Sequence, residues 1–571
     1  MLRERSGQQN DDASSEDVMV PLAQDGAVEV VAQNVEESEV PASSPAPASP
    51  EPDDIEYIYL TFDTDVPLTP VSPPDSKAQL PPCPNLKKYE NPLTWSLTRK
   101  KLMTYLSCSV NAVAAWSAGS YASPTFQLTK KWGISAVAYK TGITTFTAGF
   151  GLAPMILAPL SEINGRRPVF VATGILFVVC QIGCAATDSF AGMLVARFFV
   201  GVGGSTFSTM VGGILADIWV TADRNWAMTL FTGATLFGTG LGPLFSGFVA
   251  QRLLWRWVFW IQVATSGTLI ALVTFFFKET RGTIILSRKA KVLNRWYEKL
   301  EEAGALGMEI DSTDPEKALR RVCRVRFKVK SDEDRVSLGK MIAVSLTRPF
   351  TLLFTEPVVF WFSLWISFSW GILYLQFGSI PLVFEVNYGF TLEQTGLVFI
   401  SMCVGAILST ALGIWQERWA TKHYPAKMNG SPEGRLMFTC IESALMPIGL
   451  FLFGWTCFPF VHWIVPTIAV GVATMGIFSI FLATFNYTAD CYHIYASSAL
   501  AASGLCRNLL AGCFPLVTNQ LFTNLGFQAA SSLLGGIGLA LTLVPWVLVF
   551  YGPRIRARSK IASSFTRAGT P

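Results

Sequence analysis

The chain has 571 residues, 51% of them hydrophobic and only 15% charged, with a mean hydropathy of +0.39. A chain this apolar is excluded from the ordinary soluble class and reads as a polytopic membrane protein. Its formal net charge of +4 is too small to support a nucleic-acid partner. Most cysteines (Cys108, Cys180, Cys184, Cys403, Cys440, Cys506, Cys513) sit inside apolar runs, where a thiol behaves as a small hydrophobe. No pair has metal-ligand spacing, so neither a metal nor a cofactor is expected.

Residues 1–90 are rich in Ser, Pro, Asp and Glu, and this composition predicts a disordered cytoplasmic tail. The polar start, Met1 to Asn10, leaves insertion to the first spanning helix. Lys87, Lys88, Arg99, Lys100 and Lys101 precede the first apolar run, Leu102 to Tyr121, and place the N-terminus in the cytoplasm. Lys130 and Lys131 on the far side weaken that bias without reversing it. Five further runs follow: Val137–Leu157, Val169–Ala186, Met193–Leu215, Met228–Ala250 and Leu253–Phe277. Each is close to the roughly 20 residues that cross a bilayer core. Residues 91–277 are thus expected to form a first six-helix bundle.

The second and third runs are joined by a polar stretch, Ala158 to Pro168. Gly165 can take a positive φ there, Pro168 suits the first turn of a helix, and Arg166 and Arg167 are the charge kept on the cytoplasmic side. Glu162 lies within one turn of both arginines and can pair with either. Taken alone, the stretch either fixes topology or belongs to a working charge network.

Residues 278–349 carry basic clusters such as Arg324-Val-Arg-Phe-Lys-Val-Lys330 and follow an even number of crossings, so they belong to the cytoplasm. Leu293, Trp296, Tyr297 and Leu300 recur at helical spacing. They predict an amphipathic helix, either lying on the membrane face or packed on the end of the bundle. A second six-helix bundle is expected over 350–552, with runs at Phe350–Gln376, Thr395–Trp415, Leu436–Phe458, Trp463–Tyr487, Ser497–Phe522 and Ala529–Tyr551. Residues 553–571 form a basic cytoplasmic tail. Asn429-Gly-Ser fits a glycosylation site, but on the cytoplasmic side it should carry no glycan. Gln416-Glu417-Arg418 holds the place of the Gly165 turn in the second half, and Pro515 echoes Pro243. The fold class expected is all-α: twelve transmembrane helices in two pseudo-symmetric six-helix halves enclosing a midplane site.

Ionisable residues at membrane depth are costly and point to function. Arg197 in the fourth span should face the central cavity, or else bridge helices through backbone carbonyls. Arg507, deep in the eleventh, needs a partner. Glu442 is a proton acceptor if buried, since burial raises a carboxyl pKa toward neutrality, or else interfacial. Glu356 is interfacial and snorkels, or serves transport. Asp490 is a gate or a solvated helix end.

These motifs together resemble the major facilitator superfamily, and within it the fungal twelve-spanning drug:proton antiporters. The similarity runs from Asn91 to Lys560. Asn91-Pro-Leu-Thr-Trp-Ser96 is similar to a pre-helix signature of those transporters. Ala158 to Pro168 looks like the loop between spans two and three, with Ala158, Glu162 and Ile163 replacing the usual glycine, aspartate and basic residue. Leu194 to Gly204 resembles the motif whose arginine, here Arg197, is implicated in proton coupling. Gly238, Gly242, Pro243 and Gly247 are close to the helix-bending antiporter pattern, with Ser246 where glycine is common. Tyr487 to Ala501, Arg507-Asn508 and Phe514-Pro515-Leu516 are similar to the drug and polyamine branch.

The resemblance implies the major facilitator fold and a monomer in the plasma membrane. Its implied function is alternating-access, proton-coupled efflux of a toxin, drug or other small organic compound. Glu162, Arg166, Arg167, Arg197, Glu442, Asp490 and Arg507 would serve coupling or gating. Spans one, four, seven and ten line the cavity in the superfamily, which offers Asn111, Trp116, Tyr121, Trp370, Tyr374, Gln376, Phe485 and Asn486 as substrate contacts. Aromatic side chains there suit planar or amphipathic molecules. A proton-coupled uptake symporter for a nutrient or polyamine is the competing reading. An enzyme is not expected: no paired His or carboxylate motif has catalytic spacing, and His423, His462 and His493 are scattered.

Overall fold

The computed structural model describes residues 55–71, 80–305, 307–310, 321–333, 337–424, 432–492 and 495–559. The rest of the N-terminal tail, the Asn429 acceptor site and the C-terminus beyond Ser559 lie outside the described residues. The first half consists of α1 (Leu97–Ser120), a short α2 (Thr125–Trp132), α3 (Ala136–Leu152) continued by α4 (Pro154–Asn164), α5 (Arg166–Ala186), α6 (Phe190–Ile218), α7 (Thr221–Arg252) and α8 (Arg256–Phe276). Helix α9 (Gly282–Glu302), strands β3 (Gly307–Ile310) and β4 (Arg321–Lys328), α10 (Lys330–Glu333) and α11 (Leu338–Thr355) join it to the second half. That half contains α12 (Pro357–Tyr388), α13 (Leu392–Val398), α14 (Ile400–His423), α15 (Met437–Glu442), α16 (Leu445–Thr456), α17 (Ile464–Tyr492), α18 (Ala496–Leu541) and α19 (Leu543–Arg558).

Among the described residues, ten helical stretches are long and apolar enough to cross a membrane. The last of them, Ala496–Arg558, is broken at Gly526, whose φ of 78° is not helical, so it crosses twice. Helix α1 completes the twelve. It falls below the apolarity of the others because it carries Ser107, Asn111, Ser117 and Ser120, all buried against protein rather than lipid.

The seventh span departs from expectation. Glu356 has extended backbone (φ −107°, ψ 108°) and Pro357 lacks an N–H, so the helix restarts at Pro357 and runs on to Tyr388. Glu356 does not snorkel. It is 3% exposed and accepts hydrogen bonds from Tyr492 Oη (3.2 Å) and Ser559 Oγ (2.5 Å).

Within the halves, α1 packs on α7, α3 and α5 on α6, and α12 and α16 on α18. The halves meet along two seams, α3 against α18 and α7 against α13 and α14. Absent side chains make the approaches close. A Cβ on Gly238 would stand 2.2 Å from the Ala112 carbonyl oxygen, so α7 lies backbone to backbone on α1. Across the first seam, Thr144 Oγ1 donates to Gly512 O (2.8 Å).

The N-terminal tail is not wholly irregular. β1 (Ile55–Tyr59) pairs in parallel with β4, and β2 (Pro70–Val71) antiparallel with β3, giving a four-stranded sheet in the order β1-β4-β3-β2. The β-branched and aromatic residues of Ile55-Glu-Tyr-Ile-Tyr59 explain the strand, against the disorder expected for 1–90. The apolar face of α9 covers this sheet: Leu293, Trp296, Tyr297 and Leu300 pack with Leu60, Val325 and Phe327. That face is therefore spent on protein, not on lipid.

Glu301 holds the helix to the sheet by pairing with Arg324 and Arg326, each at 2.7 Å. Burial alone would raise its carboxyl, but the two guanidiniums outweigh burial and hold it at about 2, against an ordinary 4.5. A depressed carboxyl contributes stability that is full above its unfolded pKa and is lost as pH falls through the folded value. The contribution of Glu301 therefore stands above about 4.5 and disappears towards pH 2. Glu301→Gln is expected to loosen the sheet at neutral pH, read as faster amide hydrogen exchange over 321–328.

Candidate functional site

The bundle is open at one end and closed at the other. The open end is where α1, α7 and α12 finish and α3 and α13 begin. A cavity of about 830 Å³ opens there between the halves, lined by Tyr139 and Lys140 of α3, Pro243 of α7, Phe377 and Glu385 of α12, and Asn519 of α18. Its size matches a site for a small organic molecule. Lys140 Nζ reaches across the seam to donate to Asn519 Oδ1 (2.9 Å).

About three helical turns along α18 from Asn519, a layer of side chains closes the passage. Asn111, Trp370, Tyr374, Arg507 and Asn508 are each 5% exposed or less and surround a void of about 20 Å³. Asn111 Nδ2 donates to Thr235 Oγ1 (2.6 Å), which fixes the first-half wall. Trp370 stacks on Phe481 at 5.2 Å between ring centres, and Phe481 on Phe485 at 4.6 Å. Arg507 lies over these rings, 4.8 Å from Trp370 and 4.9 Å from Phe481.

Arg197 does not line either cavity. It is fully buried inside the first half, where Nε donates to Gly142 O (3.3 Å) and Nη1 to Ser117 O (3.1 Å). Its guanidinium sits between the rings of Tyr121 (4.5 Å) and Phe146 (4.6 Å). Of the two expectations the bridging one describes it: carbonyls of α1 and α3 are tied to α6. Ser117 Oγ accepts from Gln181 Nε2 (2.5 Å), and Gln181 also donates to Gln262 Oε1 (3.0 Å), which extends the polar chain to α5 and α8. Neither glutamine stood out in the sequence, although polar amides inside apolar runs are the available sign.

The other expected contacts divide. Tyr121 is fully buried and stacks on Tyr139 at 4.5 Å, and Trp116 packs on Phe245 at 5.7 Å. Gln376 turns into the second bundle beside Gly449, Leu450 and Phe453 instead of the central passage. Helix rotation decides this: Tyr374 and Gln376 are two residues apart, about 200° around the axis. Asn486 is half-buried and outside the lining of both cavities. Lys140 and Glu385 were missed. Lys140 was legible as a lysine within the second span, whereas Glu385 lay beyond the expected end of the seventh.

At the closed end the Gly165 turn forms, with φ 99°, but its partners differ from expectation. Glu162 is half-buried and pairs with neither arginine. The acid of the turn is Glu279: its Oε1 accepts from Arg166 N (2.8 Å) and its Oε2 from Arg167 N (3.3 Å). A carboxylate thus caps the N-terminus of α5, where the helix dipole favours negative charge. A Cβ on Gly165 would fall 2.3 Å from that carboxylate. Asp217 completes the lattice, 3.3 Å from Arg166 Nε and 3.7 Å from Arg281 Nη1, while Arg167 Nη2 donates to Thr274 O (2.9 Å).

The second half repeats the device with other residues. Glu433 pairs with Arg556 at 2.7 Å and accepts from Tyr487 Oη at 3.2 Å. Gln416 instead donates to Glu442 Oε1 (2.5 Å), and Ser479 Oγ donates to the other oxygen, so Glu442 is half-buried and doubly held. Asp490 lies in the last turns of α17 at this same end. The predicted antiporter glycines are shared between surfaces: Gly238 and Gly242 face α1, and Gly247 faces Leu392 and Gly396 across the second seam.

The Major Facilitator Superfamily profile matches residues 105–515. The chain belongs to that superfamily. It is 34% identical over 480 residues to the MFS-type transporter paaT of Penicillium rubens, covering 83% of this chain and 82% of that one. It is 32% identical over 470 residues to the efflux pump FUBT of Fusarium oxysporum, covering 82% and 75%. It is 31% identical over 475 residues to the multidrug transporter mdrA of Aspergillus fumigatus, covering 83% and 74%. Among solved structures, the proton:xylose symporter XylE superposes with a TM-score of 0.56 at 14% identity, over 80% of this chain and 97% of that one. This last likeness is one of fold. Major facilitator architecture accounts for the paired halves, the two seams and the cavity between them.

Proposed function

We propose that this protein exports small organic compounds across the plasma membrane by proton-coupled alternating access. The observation that carries the reading is the asymmetry of the passage: a cavity of about 830 Å³ at one end, a buried layer below it, and ion-pair lattices at the other end. The similarity to proteins named efflux pump and multidrug transporter supports the direction. With basic flanks holding both termini in the cytoplasm, the open end faces outward, as it would on substrate release. The chain then rocks about its two seams, and the lattices of Arg166, Arg167, Asp217 and Glu433 part as the inner end opens. Glu162 and Asp490 stand at that end as gate residues. Glu442, between Gln416 and Ser479, and Glu385 in the outer cavity, both in the second half, are the carboxylates for the proton, while Arg197 ties the helices of the first half together.

The test compares retention of candidate compounds in cells with and without the protein, before and after a protonophore. Expressing cells are expected to retain less, and the difference to vanish when the gradient collapses. Higher retention in expressing cells would overturn export in favour of uptake.

A further inference from the structure

Arg507 is a buried cation without an anion. It is 3% exposed, and its Nε and Nη1 have no hydrogen-bond partner. Among the described residues no Asp or Glu forms an ion pair with it. Three rings surround the guanidinium, the third being Phe485 at 5.9 Å. Rings stabilise the positive charge through their faces but accept no directional hydrogen bond from the N–H groups in their plane. A charge held this way in a low-dielectric layer is poorly compensated, and structures retain such groups where a ligand completes them.

The surroundings lean the same way. Arg197 is the second fully buried cation, its Nη2 also lacks a partner, and Tyr374 lies within the field of both charges. The void beside Arg507 takes residues from both halves: Asn111, Phe146 and Thr239 from the first, Trp370, Tyr374 and Asn508 from the second. At about 20 Å³ it has room for one water and no more. A ligand can therefore enter only as the halves separate, which places the guanidinium where a transported molecule must pass. Glu385, the acid in the outer cavity, lines that cavity and not this layer.

We propose that Arg507 anchors the carboxylate of an organic acid, with Trp370, Phe481 and Phe485 forming the wall against its apolar body. The inference deepens the transport reading above and depends on it for the fate of the ligand, but binding is measurable without transport. Equilibrium binding of radiolabelled 2-naphthoate and 2-naphthamide to the purified full-length protein separates charge from shape. The acid is expected to bind about ten-fold tighter or more, the difference made by charge-assisted hydrogen bonds. Arg507→Gln should bring the acid-to-amide ratio close to one, and Arg507→Lys should restore part of it. The glutamine variant should melt no lower than the parent, because it removes an uncompensated charge. If it fails to fold, the comparison on the unmodified protein still decides. Equal affinities, preference for the amide, or binding of neither overturns the proposal. Preferential acid binding together with equal or higher retention in expressing cells would leave the Arg507 site standing and remove the export reading instead.

Discussion

Arg197→Ala is expected to reduce transport to the level of cells lacking the protein, with a lowered melting temperature. The side chain ties α6 to the Gly142 and Ser117 carbonyls, so its loss removes two charge-assisted hydrogen bonds. Each is worth about 1.5–3 kcal/mol. It also empties the space between the Tyr121 and Phe146 rings. The first half should still assemble, since the Gly238 and Gly242 contacts between α1 and α7 do not involve Arg197. Arg197→Lys should not rescue transport: a single ammonium on a flexible stem cannot span two carbonyls on different helices while stacking between rings. Transport assays in vesicles, paired with size-exclusion profiles and melting curves of the same variants, read these outcomes. Transport by the alanine variant at the parent rate would remove Arg197 from the working parts.

Asp217→Ala should have the second large effect, at the closed end. Asp217 faces Arg166 at 3.3 Å and Arg281 at 3.7 Å and accepts from Thr280 Oγ1 at 3.3 Å. Its side chain is only 13% exposed. Removing one partner of a buried ion pair costs about 3–5 kcal/mol, because the remaining charge stays buried without compensation. Surface delivery is expected to fall sharply, and the surviving protein to show faster thiol labelling at a cysteine introduced at Ser161, beside Arg166 Nη1. Asp217→Glu keeps the charge and should recover most of the delivery. A normal labelling rate in the alanine variant would mean that the lattice does not hold this end shut.

The sequence made the long-period features legible and hid the contacts that close over distance. Apolar runs of membrane length and the positive-φ glycine at 165 are local properties of consecutive residues and were legible, although the seventh span begins later than its apolar run and Arg197 bridges helices instead of facing the passage. Glu279 was not legible as the acid of the Gly165 turn, because its partner is another loop and not a neighbour on the same helix. Glu162, the nearby acid, is the natural choice by spacing, yet Arg166 and Arg167 pair with Asp217, Glu279 and the Thr274 carbonyl instead. Tyr374 and Gln376 show a second limit. Both are polar-capable residues of one buried helix, and only its rotation sends the first into the passage and the second into the bundle. The strand Ile55–Tyr59 was lost in an average, four β-forming residues around one glutamate within a tail otherwise rich in proline and acid.

That strand has a mechanical consequence. The backbone from Phe276 to Pro357 would, if drawn out, reach well beyond the width of the two bundles. This slack is taken up by α9, α11 and the β3–β4 pairing, and β1, from ahead of the first crossing, lies alongside Arg324–Lys328. The linker between the halves is thus strapped by a segment that precedes the first crossing, and trimming the polypeptide up to Leu60 would bare the outer edge of β4 without altering one residue inside the bilayer.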